Sequence, residues 1–229
     1  MNFPSNRSGP LWRRAFFSTA FSTMLIALSG VSHADVSLDF DKTFNAVGEP
    51  RQLHFQATYK LNAADHTTEL WRDRDQRLKR RTDDVVETFV FEPAKETEWR
   101  MVVLDLKHKV RTDIDRTNLF RVGHFTDWFS LSHALTRPSG AYQLVATSAP
   151  KSAEKPVADC RWYALNRNGT DSKLCWSAKV RLPLMITAAD GAVQWRVTQL
   201  DVKPVTVDTY KVMDSGFARN DANADINDD

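Results

Sequence analysis

The feature that most limits the fold is a period of two. Leu53, Phe55, Ala57, Tyr59 and Leu61 alternate with His54, Gln56, Thr58 and Lys60, as in a strand buried on one face. Further short segments follow: polar, Arg-rich stretches at 69–72 and 77–82 joined near Asp73-Arg74-Asp75, and an apolar run at 85–91 stopped by Pro93. Trp99, Met101 and Val103 then alternate, residues 105–108 turn, and 109–114 return. Six extended segments separated by polar turns predict an antiparallel meander. The pattern resumes at 141–147, and residues 148–158, with two prolines and two lysines, form an exposed loop. Residues 160–166 and 172–177 flank Asn168-Gly169, while 182–188 and 192–202 flank Asp190-Gly191; both dipeptides are hairpin signals. The last ordered segment is expected at 205–212.

A helical period is visible at Phe125, Trp128, Phe129, Leu131 and Leu135, with Thr126 as N-cap and Pro138-Ser139-Gly140 as the stop. A second, short helix is expected within 36–46. The chain is therefore mainly β (α+β), a single domain over 35–213. A strongly curved antiparallel sheet, a half-barrel wrapped around one or two helices, satisfies this pattern; so do a closed barrel and a two-sheet sandwich.

The first 34 residues belong to another system. Arg7, Arg13 and Arg14 precede an acid-free apolar stretch from 15 to 31, and Ser32-His33-Ala34 offers small residues at the −3 and −1 positions. This is the layout of a signal peptide cleaved before Asp35, and Arg13-Arg14-Ala15-Phe16-Phe17 also fits a twin-arginine export signal. Without residues 1–34 the chain carries 28 basic against 29 acidic residues, so nucleic acid is not an expected partner. No later run approaches membrane-spanning length. Residues 214–229, rich in Asn, Asp and Ala, are expected to be a flexible acidic tail.

Two cysteines suffice for one bridge in an oxidising compartment. Cys160 and Cys175 flank Asn168-Gly169, and their numbers sum to 335 where a two-residue turn pairs positions summing to 337. A shift of two leaves both on one sheet face, diagonal under a two-residue turn or directly opposite if the loop is longer, and bridging distance is attained either way.

Catalytic patterns are missing: no Gly-x-Ser-x-Gly, Gly-x-Gly-x-x-Gly, P-loop or His-Glu-x-x-His occurs. On the predicted helix Ser132-His133 sets a hydroxyl beside an imidazole, and adjacent helix positions do not face each other. Asp221-x-Asn223-x-Asp225 lacks the Gly and Glu of a calcium loop. We expect no enzyme, no cofactor and no metal.

Leu70-Trp71-Arg72-Asp73-Arg74, and Leu182-Pro183-Leu184-Met185-Ile186 followed by Asp190-Gly191, resemble motifs of the LolA-like group of periplasmic lipoprotein and lipid carriers. The order of elements over residues 40–212 is similar as well. The resemblance implies a periplasmic, non-enzymatic protein whose partner is a lipid or lipoprotein acyl chain, or an envelope protein that the same fold senses. In such a fold Phe55, Tyr59, Trp99, Met101, Trp128, Trp162, Trp176, Leu184 and Trp195 are the candidate lining of an apolar pocket, each equally able to be plain core. Arg72 and Arg74 are the expected basic patch at its mouth, Arg74 taking the latch-like role. With Arg77, Lys79, Arg80 and Arg81 they meet an anionic partner or merely neutralise neighbouring aspartates.

Overall fold

The computed structural model describes residues 37–74, 76–91, 99–115, 118, 128–151 and 153–222. Alternation becomes a twelve-stranded sheet: β1 Gln52–Leu61, β2 Ala64–Asp73, β3 Arg77–Thr82, β4 Val86–Phe91, β5 Arg100–Asp105, β6 Val110–Asp115, β7 Tyr142–Ala146, β8 Arg161–Arg167, β9 Thr170–Ser177, β10 Leu182–Ala188, β11 Val193–Asp201 and β12 Ala218–Asp221. Their order is β12-β6-β5-β4-β3-β2-β1-β11-β10-β9-β8-β7. The two ends do not pair, so the sheet is curved but open, and barrel and sandwich are both excluded. β1 to β6 form the expected meander, and β11 returns to lie beside β1.

Turn chemistry sets the registers. Asn168 and Gly169 take φ of 50° and 79°, giving a two-residue turn that pairs Arg167 with Thr170. Asn62 and Ala63, at φ of 50° and 64°, make the same kind of turn between β1 and β2 without a glycine. That is why β2 begins at Ala64, before the segment at 69–72 that its residues advertise. Pro183, which has no N–H to give, lies beside a bulge in the β9–β10 ladder.

Two short α-helices are resolved among the described residues. α1 covers Phe40–Thr43, capped by Asp39, whose carboxylate accepts from the Lys42 N–H at 2.8 Å. α2 is described over Trp128–His133. It ends at Ala134, whose φ of 51° leaves the helical region well before Pro138. The expected start at Phe125 and Thr126 lies outside the described residues. Within the ordered segment expected at 205–212, residues 207–210 form a 3-10 turn, and Tyr210 is drawn under Arg77, whose guanidinium carbon is 4.5 Å from the ring centre.

The C-terminal segment departs from the expected flexible tail. Residues 218–221 pair in parallel with β6, Ala218 opposite Val110, so the antiparallel sheet ends in one parallel pair. Asp214 holds the segment through Arg111 at 2.7 Å, and Phe217 packs near Phe89 and Leu104.

The largest core group joins one face of β1–β6 to β10–β11: Leu53, Phe55, Leu70, Leu78, Val90, Met101, Ile114, Leu182 and Leu184. Leu131 of α2 caps it. Beside it Phe40, Phe44, Phe129, Tyr163, Leu165 and Trp176 pack as an aromatic group under α1.

Candidate functional site

Cross-strand register places the inner-face residues in rows. Phe55 pairs with Leu70 and Leu70 with Arg80; Leu53 pairs with Arg72 and Arg72 with Leu78. Alternation thus turns Arg72 and Arg80 inward on the face that carries Leu70 and Leu78, while Trp71, Lys79 and Arg81 point the other way. These two arginines meet different surroundings.

Arg72 is fully buried. Its Nη1 donates to the Ser132 carbonyl at 2.9 Å and Nη2 to the Val180 carbonyl at 3.4 Å, while Nη2 lies 3.0 Å from Glu49 Oε2. Burial lowers its pKa to about 10, which leaves it charged at neutral pH. Glu49 Oε2 also meets His133 Nε2 at 2.9 Å, and His133 Nδ1 is 2.7 Å from Ser132 Oγ. The expectation that Ser132 and His133 turn away from each other fails. The His133 ring folds back to stack on Phe129, centroids 4.4 Å apart, and so brings Nδ1 beside the hydroxyl. Burial, then the Arg72 charge, outweigh the Glu49 hydrogen bond and hold the His133 pKa below its usual value. Burial pushes the Glu49 carboxyl up, but the His133 hydrogen bond and the Arg72 charge leave it below the usual range. Glu49 can only accept, so His133 donates to it from Nε2; Nδ1 faces both the Ser132 hydroxyl and, at 3.2 Å, the Phe129 carbonyl, while that hydroxyl donates to the Trp128 carbonyl at 2.7 Å. Ser132 and His133 are 0% and 1% exposed, so no substrate reaches the hydroxyl in this arrangement. The network ties α2 to β2 and to the chain before β10.

Arg80 instead borders a half-open cavity of about 290 Å³ lined by Phe55, Tyr59, Leu70 and Trp195 from the sheet and by Leu131 and Ala134 from the helical segment. Burial lowers the Arg80 pKa, opposed by the nearby Tyr59 hydroxyl. A larger open cavity of about 660 Å³ lies elsewhere, among residues 155–162, 177–180 and 200–202.

Of the nine expected pocket residues, Phe55, Tyr59 and Trp195 line the smaller cavity. Trp99, Met101 and Leu184 are buried in the core group that includes Phe55, and Trp128 packs against it. Trp176 is filled-in aromatic core, 5.1 Å from Phe44 and 6.3 Å from Phe129. Trp162 pairs with Cys175, whereas Trp176 is the next residue along β9, so these two tryptophans occupy opposite faces and share no pocket. Trp162 packs with Cys175 and Met185 and borders the larger cavity. Nor do Arg72 and Arg74 form one basic patch. Arg74 sits exposed in the β2–β3 turn at φ 44°, two residues from the buried Arg72. The outward cations are neutralised locally, Arg77 by Asp73 at 3.0 Å and Lys79 and Arg81 by Glu87 at 2.9 and 2.6 Å. Cys160 and Cys175 are bridged, Cα atoms 5.4 Å apart; since Cys175 opposes Trp162, the bridge is the diagonal one. Sequence reasoning missed Leu131, Arg80 and Thr68 as lining and Glu49 as the buried carboxylate.

Among the described residues no cluster of His, Cys, Asp or Glu could hold a metal ion, and no helix is long and apolar enough to cross a membrane. Fold and site together define an open-sheet β protein with a half-open cavity of mixed apolar and polar lining beneath a helix. No protein family and no curated protein matches the sequence. Among solved structures it is similar to MucB, at 14% identity and TM-score 0.39 over 75% of this chain and 61% of that one. It is also similar to the Pseudomonas aeruginosa MucA/MucB complex, at 15% and 0.38 over 71% and 56%. PNGF-II matches at 7% and 0.37 over 77% and 32%. The chain spans less than two thirds of each.

Proposed function

We propose that this protein is a non-enzymatic, periplasmic binding protein that shelters an acyl chain of a lipid or lipoprotein between the sheet and α2. The observation that carries the reading is the cavity of about 290 Å³ walled by Phe55, Leu70, Trp195 and Leu131. Burying a methylene there contributes about 0.8 kcal/mol. The Cys160–Cys175 bridge supports an oxidising compartment, and the LolA-like motifs at 70–74 and 182–186 support the carrier class. Protein purified from its native compartment without detergent is expected to carry extractable acyl lipid by mass spectrometry, and Leu131→Trp, which fills the cavity, to remove it. Acyl-free protein that also takes up no acyl probe would end this reading.

The second reading, an envelope protein-interaction module, is favoured by the sheet edges. All four residues of β12 are exposed at one edge, and β7 forms the other; such edges accept a partner's strand. Stable capture of an envelope protein by lipid-free protein supports it.

A further inference from the structure

On the reading of an acyl-binding protein, we propose that the cavity beneath α2 takes a single-chain amphiphile with a carboxylate head, a fatty acid anion, held by Arg80 with Thr68 as second donor. Arg80 Nε and Thr68 Oγ1 are buried and have no hydrogen-bond partner among the described residues, and both residues line this cavity. Arg77, Lys79 and Arg81 on the same strand meet carboxylates within 3.0 Å; Arg72 shares an unpartnered Nε with Arg80, but its two Nη atoms reach Glu49 and two carbonyls. Among the described residues Arg80 has no ion-pair partner, and the Tyr59 phenol is the group acting on it electrostatically.

Arg80 is half-buried and borders the same cavity as Phe55, Leu70, Trp195 and Leu131; withdrawing its Nε from water without a partner is costly unless an anion completes it. The planar fork of arginine matches the two oxygens of a carboxylate, and the hydroxyl of Thr68 adds a third donor. The rest of the wall is mixed: Thr82, Ser130 and Thr136 contribute hydroxyls, while Phe55, Leu70, Leu131 and Trp195 offer the apolar side for a short hydrocarbon tail. At about 290 Å³ the space is at the small end of ligand pockets, which favours one chain over a two- or three-chain lipid.

Calorimetric titration of the intact, oxidised protein with decanoate, decanol and decyltrimethylammonium tests this. Decanoate should bind saturably, one per chain and at least tenfold tighter than the other two. Arg80→Met should weaken decanoate about ten- to a hundredfold, the range for a hydrogen bond to a charged group, and leave decanol unchanged. Thr68→Val, a milder change, should weaken decanoate alone by a smaller factor. Equal affinity for decanoate and decanol in the parent, or unchanged decanoate binding in folded Arg80→Met, overturns the head-group assignment while leaving the acyl shelter intact. If none of the three binds, the shelter itself fails. Should Arg80→Met not fold, the parent's head-group preference and Thr68→Val still decide.

Discussion

Replacing Arg72 by Met should be among the most damaging single changes in this chain. Met fills much of the aliphatic stem's volume but removes the 2.9 Å bond to the Ser132 carbonyl, the 3.4 Å bond to the Val180 carbonyl and the 3.0 Å contact with Glu49. It strands the Glu49 carboxylate, its side chain 10% exposed, with His133 as its remaining ion-pair partner. Removing one partner of a buried ion pair costs about 3–5 kcal/mol, because the other charge stays buried; that is a large part of the roughly 5–15 kcal/mol of a typical domain. Urea unfolding near pH 7.5, with the disulfide intact, should show a lower midpoint at unchanged slope. Adding Glu49→Met should recover part of the loss, a coupling of about 0.5–3 kcal/mol. A loss below about 1 kcal/mol for Arg72→Met, the range of an exposed pair, or strict additivity with Glu49→Met, would refute the view that this guanidinium fastens α2 to the sheet.

The remaining predictions test other joints of the molecule. The folded His133 pKa lies below its usual 6.5, so the unfolded chain binds the extra proton; His133 therefore contributes stability that is present above about pH 6.5 and is lost as pH falls through the lower folded pKa. Glu49 acts in the same sense at lower pH, and His133→Gln should flatten the upper part of this profile in urea melts. Cys160→Ser with Cys175→Ser should cost about 3 kcal/mol for a loop of this length, and the denatured, unreduced parent should titrate no free thiol. Ala63→Gly should stabilise by about 1 kcal/mol, because it relieves a non-glycine residue at φ 64°. A melt unchanged or lowered would contradict that turn geometry.

How much of this was legible depended on whether a signal was local. β1 could be read because Leu53, Phe55 and Ala57 are buried and their neighbours are not, although Leu61 at its turn end is exposed, and Asn168-Gly169 announced its hairpin because both residues tolerate positive φ. The turn at Asn62-Ala63 was hidden, since Ala63 carries no such preference. β2 inverts the usual code: Trp71 faces outward, stacked on His54 with centroids 5.0 Å apart, while Arg72 faces the core. Polarity therefore suggested a surface patch where alternation from Leu70 already pointed inward. Parity also separates Trp162 from Trp176 once Cys175 is fixed opposite Trp162. Glu49 was illegible because its partners Arg72 and His133 are distant in sequence, and β12 because all four of its residues are exposed and give no alternation.

The central claim, an acyl chain under α2, is tested most directly by photocrosslinking. Decanoate carrying a terminal diazirine, added to the intact protein and irradiated, should label residues around Leu131 and Ala134 together with Leu70 or Trp195, the walls of the 290 Å³ cavity. Excess decanoate should abolish the labelling, and so should Leu131→Trp. Label concentrated instead at residues 155–162 beside the larger cavity, or label that excess decanoate does not displace, would contradict the account.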